Sequence, residues 1–187
     1  MGREETCCFT GHRPEKLPWG SRESDPRCAA LKRWLDRAVL EAYQQGMRHF
    51  LCGMAQGADL YFCESALRLR RLYPDLRVEA AVPCRSQADR WPEEERERYH
   101  RLLEACDLVT LVQEAYTPGC MMRRNRYMVE RSSRIIAVYD GYPGGTQNTL
   151  LYALRKGLDV VQADPNEFGT EKEEGDGRTG APHPPLV

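Results

Sequence analysis

Residues 135–149 read Ile135-Ile136-Ala137-Val138-Tyr139-Asp140-Gly141-Tyr142-Pro143-Gly144-Gly145-Thr146-Gln147-Asn148-Thr149, an apolar run that passes through a glycine loop into a helical pattern. Ile135 to Tyr139 is apolar at odd and even positions alike, as a strand covered on both faces must be. Gly144 and Gly145 free the backbone where it turns, and Thr146 can cap the next helix or offer its hydroxyl to a ligand. That helix, Gln147 to Lys156, ends at Gly157.

The same order of strand, loop and helix recurs toward the N-terminus. Further strands are expected at Thr6 to Thr10, His49 to Cys52, Arg77 to Val82 and Leu108 to Val112, and one more follows at Asp159 to Gln162. Between them run amphipathic stretches at Ala29 to Gln45, Ala58 to Tyr73, the segment opening at Trp91-Pro92, and Met121 to Arg134. Leu31, Trp34, Leu35, Ala38, Val39 and Ala42 form one stripe of the first, with Gly46 as its stop. In the third, Pro92 and three glutamates suit a helix start, and Glu94 with Arg98 and Glu97 with Arg101 suit a solvated face. Strands alternating with crossover helices predict an α/β protein, a Rossmann-like three-layer sandwich with a mostly parallel central sheet flanked by helices.

A chain of 187 residues fits one domain, expected over residues 1–163. Periodicity stops after Asp164-Pro165, and residues 164–187, rich in Gly, Pro and acids, are expected to be a disordered tail. Six acidic against two basic side chains in that tail leave about +3 on residues 1–163, given a net charge of −1 overall. So mild an excess suits a small anionic ligand and argues against nucleic acid as a partner. No apolar run is long enough to cross a membrane, and Met1-Gly2-Arg3-Glu4-Glu5 lacks the pattern of a secretory leader, so a cytoplasmic protein without membrane contact is expected. Eight cysteines with no C-x-x-C pair read as buried thiols, and no metal site is expected.

In a parallel sheet, ligands lie beyond the carboxyl ends of the strands, so the residues just after each apolar run carry the chemistry. Thr10-Gly11-His12-Arg13 follows the first strand and offers a hydroxyl, a tight turn and a guanidinium fork for phosphate or carboxylate. As a bland alternative, Arg13 is a solvated charge on a turn. Gly53-Met54-Ala55-Gln56-Gly57-Ala58-Asp59 follows the second strand, where small residues admit a ligand to the amides of a helix start. Asp59 either bonds a ribose hydroxyl or favours the first turn through the helix dipole. It is neither G-x-G-x-x-G nor a Walker A loop. Gly144, Gly145 and Thr146 form the third loop, while Arg124 and Asn125 sit where a basic helix starts and can reach toward the same cleft. That basic helix also admits a nucleic-acid patch, though with a single aromatic and no recognisable module. Gln87 and Trp91, four apart, suit either an amide and platform for a base or core packing.

Together, Phe9-Thr10-Gly11-His12-Arg13-Pro14, Gly53 to Asp59, Arg124-Asn125-Arg126-Tyr127-Met128-Val129-Glu130 and the Gly144-Gly145-Thr146 loop resemble the YpsA-type family of the SLOG superfamily. That superfamily is related to the Lonely Guy phosphoribohydrolases and to the Rossmann domain of DprA. The resemblance runs from about Thr6 to Gln162 and implies a bacterial nucleotide-binding protein, with an NAD- or ADP-ribose-like ligand, no required cofactor, and pairing into a homodimer through helices. It implies Gly11, His12 and Arg13 at one lip of the pocket, Gly53, Gly57 and Asp59 at the next, Gly144, Gly145 and Thr146 on the phosphate, and Arg124 and Asn125 on the far side. The phosphoribohydrolases resemble Pro-Gly-Gly-x-Gly-Thr-x-x-Glu here, whereas Pro143 to Thr149 lacks the extra glycine and the glutamate. No catalytic residue is therefore named. A sensor or regulatory binder is the leading expectation, and a nucleotide-processing hydrolase using Asp59, Asp140 or His12 is the alternative.

Overall fold

The computed structural model describes residues 1–169. Six strands, β1 (Thr6–Gly11), β2 (His49–Cys52), β3 (Arg77–Val82), β4 (Leu108–Leu111), β5 (Arg134–Val138) and β6 (Asp159–Ala163), form one sheet in the order β4-β3-β2-β1-β5-β6. All five pairings are parallel. The expected α/β sandwich is thus the observed one, with a sheet that is parallel throughout.

Five helices cover it: α1 (Pro26–Gln44), α2 (Ala58–Arg70), α3 (Glu93–Ala105), α4 (Cys120–Glu130) and α5 (Gly145–Arg155). Along β1 the side chains alternate between two cores. Cys7 and Phe9 pack with Leu31, Leu35 and Val39 of α1 and Phe62 of α2, whereas Cys8 packs with Met128 and Val129 of α4 and Leu150 of α5. Phe9 and Phe62 stack with centroids 4.6 Å apart, which fixes α2 under the end of β1. Seven of the eight cysteines are buried and Cys106 is partly so; Cys7, Cys8, Cys28, Cys52, Cys63 and Cys120 fill strand and helix positions as small hydrophobes.

Local signals explain the element ends. Asp25 accepts a hydrogen bond from the Arg27 amide at 2.9 Å and Pro26 opens α1, three residues earlier than periodicity alone predicts. At its far end Gly46 has φ +99°, Met47 N–H donates to Ala42 O and Gly46 N–H to Tyr43 O, a paired closure of the last turn. The helix expected to reach Arg134 stops at Glu130 instead. Ser133 N–H donates to Thr6 O at 3.0 Å, so the chain is already pairing with β1. Likewise α2 ends at Arg70, and a turn through Tyr73 leads to Pro74. Asp164 caps a short 3-10 turn, Pro165–Glu167, at the start of the expected tail, most of which lies outside the described residues. Among the described residues no helix is long and apolar enough to cross a membrane.

One polar network is buried at the amino end of the sheet, away from the loops. Glu79, 3% exposed, accepts hydrogen bonds from Thr110 Oγ1 and Tyr127 Oη, both at 2.7 Å, and faces His49 Nε2 at 3.0 Å. Burial pushes its carboxyl up, but His49 and the two hydroxyls outweigh burial and hold it below the usual glutamate value of 4.5. A depressed folded-state pKa means that the unfolded chain binds the extra proton, so this stabilisation is present above about pH 4.5 and fades as pH falls. Glu79→Gln is therefore expected to flatten the acid limb of the stability curve relative to wild type, as read by urea unfolding at a series of pH values. Parallel acid limbs for the two proteins would contradict the assignment.

Candidate functional site

Strand order places β1 and β5 side by side although three strands separate them in the chain. The chain leaves β1 toward α1 on one face and leaves β5 toward α5 on the other, so the loops diverge and a crevice opens at the carboxyl ends. A cleft of about 280 Å³ occupies this place. Thr10, Gly11, His12, Arg13, Asp59, Arg124, Asn125, Gly145 and Thr146 all line it. Nine of the twelve residues expected at the site therefore meet in one cavity.

The other three, Gly53, Gly57 and Gly144, lie behind the lining and let it form. A methyl on Gly53 would press on the Arg124 guanidinium and stand 2.8 Å from Asp59 Oδ2. Gly57 has φ +83°, and a Cβ there would stand 2.8 Å from the His12 carbonyl. That carbonyl accepts the Ala58 N–H at 3.1 Å, which ties the loop after β1 to the start of α2. Beside Gly144, Lys16 donates to Pro143 O at 3.2 Å, which ties the first loop to the third.

His12 completes the link. The residue is 3% exposed, with Nε2 2.8 Å from Asp140 Oδ1 and Nδ1 3.3 Å from Thr146 Oγ1. Burial tends to raise the Asp140 carboxyl, yet the Tyr142 amide and His12 outweigh it, and Asp140 is held below the usual aspartate range. Asp140 thus orients His12 from behind while the imidazole spans two loops.

Deeper in the cleft, Asp59 and Arg124 are each 4% exposed, with Oδ2 and Nη1 4.0 Å apart. Asp59 Oδ2 accepts the Ala55 N–H at 3.2 Å, and Arg124 donates to the Gly53 carbonyl and, through Nε, to Asn125 Oδ1 at 2.8 Å. Burial is the dominant influence on both. It raises Asp59 above its usual value against the pull of Arg124, and lowers Arg124 against the pull of Asp59. The Asp59 carboxyl therefore has a structural partner on the loop amide besides its place in the lining.

On the opposite wall α5 begins at Gly145, preceded by Gly144, with no side chain capping its first turn. No atom beyond the chain neighbours lies within 4 Å of where a Gly145 Cβ would stand. Free amides and the positive end of the helix dipole thus face the cleft, as anion sites require. Thr149 lies one turn into α5. It is buried, receives the Asn125 amide at 2.8 Å and donates to Gly145 O at 2.9 Å, so a neutral hydroxyl holds that position.

Several lining residues escaped sequence reasoning: Phe9, Glu15, Lys16, Ala55 and Met121. Lys16 is the informative one, because it adds a cation beside the α5 start. Its signal was Pro14, which begins the 3-10 turn Pro14–Lys16 and folds the next residues back over the loop. Gln87 is not a free amide for a base. It donates to the Gly53 and Met54 carbonyls at 3.3 and 2.9 Å and braces the second loop.

The model of the YspA SLOG family matches residues 7–160. The SPbeta prophage-derived protein YoqJ of Bacillus subtilis is 32% identical over 130 residues, 62% of this chain and 76% of that protein. A UPF0398 protein of Halalkalibacterium halodurans is 26% identical over 128 residues, 67% of this chain and 68% of its own length. Among solved structures, DNA processing protein A from Helicobacter pylori superposes with a TM-score of 0.58 at 15% identity, over 86% of this chain and 69% of that one. DNA processing protein A (DprA) from Streptococcus pneumoniae gives 0.57 at 15% identity, over 85% and 50%.

These structures correct one expectation. Mild overall charge argues against nucleic acid, yet the Helicobacter pylori protein, which shares this fold, is described by its single-stranded DNA binding mode. Charge averaged over a chain does not report the arrangement in one cleft, where Arg13, Lys16 and Arg124 gather with Glu15 and Asp59.

The glycine at position 53 offers a direct test of the wall it supports. Gly53→Ala is expected to cost about 1–3 kcal/mol by overpacking against Arg124 and Asp59. Gly145→Ala, with open space around the new methyl, is expected to stay within about 0.5 kcal/mol of wild type. Urea unfolding of both variants checks the contrast.

Proposed function

The chain belongs to the YspA SLOG family, and from that premise we propose that the β1–β5 cleft binds a nucleotide or nucleotide-derived ligand of the NAD or ADP-ribose kind, and that the protein works as a sensor or regulator. The observation that carries this reading is the uncapped start of α5, opening onto the same cleft as Arg13 and Lys16. A phosphate there meets backbone amides, a helix dipole and two cations together. Family and fold support a nucleotide- or nucleic-acid-related role. A volume of about 280 Å³ lies at the small end for ligand pockets, which suits one nucleoside phosphate unit. Regulation rather than turnover is supported by the Gly144-Gly145-Thr146 loop, which lacks the glutamate of the phosphoribohydrolase pattern.

Addition of ADP-ribose, NAD or AMP is expected to raise the melting temperature, by mass action on the native state. At about a hundred times Kd the stabilisation is about 2.7 kcal/mol. Arg13→Ala and Lys16→Ala are expected to weaken the effect, and Arg13→Ala to do so without lowering the unliganded melting temperature, since its side chain is exposed. No rise with any of the three compounds sinks the proposal.

A hydrolase is the second reading, favoured by one observation: burial keeps the Asp59 carboxyl raised at the cleft wall, as a general acid requires. Product analysis after incubation with nucleoside monophosphates and NAD separates the two. Binding without product is the expected outcome, and turnover abolished by Asp59→Asn would replace the sensor with an enzyme.

A further inference from the structure

A second cleft, about 490 Å³, opens at the carboxyl ends of β3 and β4 and shares Met121 with the first. Met121 Sδ lies 3.9 Å from Arg124 Nη2, so the thioether forms the rim between the two cavities. Trp91 and Tyr116 supply aromatic walls, with Ser86, Asp89 and Arg90 beside them.

Two features set this cleft apart from an ordinary surface hollow. Trp91 is braced from behind, its ring T-shaped on buried Tyr99 at 5.3 Å and 75°, while the Tyr99 hydroxyl reaches Gln87 Oε1 at 3.5 Å. A platform held in this way loses little freedom when a second ring lies on it. Tyr116 is the reverse case, 64% exposed and without a hydrogen bond or ring contact among the described residues. Asp89 and Arg90 form no ion pair among the described residues either, so an acceptor and a donor fork stand beside the two rings. Aromatic walls with polar groups at the edge suit a planar heteroaromatic ring, whose faces stack while its amino group meets the carboxylate.

We infer that this second cleft is a nucleobase-stacking subsite, so that the ligand carries a second nucleoside unit joined through phosphate to the one in the β1–β5 cleft. This rests on the phosphate reading of the first cleft given above. The second base has two sources, the other half of a dinucleotide or the next nucleotide of a single strand, and both present the same ring and linkage.

Titration calorimetry with AMP, diadenosine diphosphate and a short oligodeoxyadenylate tests it. The two-base probes are expected to bind at least about fivefold tighter than AMP. Tyr116→Ala is expected to remove that advantage while leaving AMP affinity unchanged, and Tyr116→Phe to retain it. Whichever two-base probe loses affinity identifies the source of the second base. Equal affinity of AMP and both two-base probes, or a Tyr116→Ala effect that is the same on all three, overturns the subsite and leaves the first cleft standing. No binding of any probe overturns both readings together. Since Tyr116 is exposed, circular dichroism and melting of Tyr116→Ala are expected to match wild type, which removes misfolding as an explanation.

Discussion

Parallel strands need crossover connections, and right-handed crossovers decide which face each helix covers. From β1 the chain steps outward through β2, β3 and β4, and α1 and α2 fall on one face. To add β5 on the other side of β1 it must travel back, and α4 and α5 then cover the opposite face. Neighbouring strands β1 and β5 thus send their loops apart, and nothing in the backbone fills the gap between them. The cleft depends on this reversal more than on any single side chain. Burial of Cys7, Cys8 and Phe9 on both faces of β1 holds the reversal in place, because neither helical layer can pack without that strand.

Within the crevice, the wall is organised by two buried ionisable groups that desolvation pushes toward their neutral forms. Asp59 and Arg124 stand 4.0 Å apart, and each has a backbone partner: the Ala55 amide for one, the Gly53 carbonyl for the other. A buried charge pair of this kind is weak support for stability, since desolvation offsets its attraction. Its consequence here is positional. Arg124 can lie flat against the second loop only because residue 53 lacks a side chain, and Gln87 closes the same loop from the other side. Gly53 and Gly57, outside this cleft's lining, therefore shape it, by letting backbone and guanidinium come closer than a Cβ permits.

Strands were legible because a two-sided sheet leaves an unmistakable apolar run, and β2 and β3 match their expected limits residue for residue. Helix ends were less legible, because periodicity does not register what a cap or a strand pairing decides. Asp25-Pro26 and Ser132-Ser133 acted through a hydrogen bond to the Arg27 amide and through pairing with Thr6, and neither leaves a periodic trace. At the site, glycine loops announced the strand ends. They did not announce which glycines face the cavity, since Gly145 and Gly53 look alike in sequence while one opens to the cleft and the other backs onto Arg124. Lys16 and Met121 were hidden for a related reason. Each reaches the cleft by a turn or a helix start whose direction is set in three dimensions.

The same distinction explains why composition misjudged partners. A carboxylate counts as −1 wherever it sits, but its effect on a ligand depends on distance and on what already neutralises it. Glu23, Glu64 and Glu95 surround Arg98 on the α1–α3 side, and Asp107 engages Arg70 and Arg77 at the far end of the sheet. These charges cancel locally and contribute little at the cleft. Arg13 and Lys16 stand at the mouth without an acidic side chain in ion-pair contact among the described residues, next to the positive end of α5. A chain whose net charge is close to zero thus sets exposed cations at the β1–β5 crevice beside the start of α5, where Glu15 shares the lining and burial pushes the Asp59 carboxyl toward its neutral form.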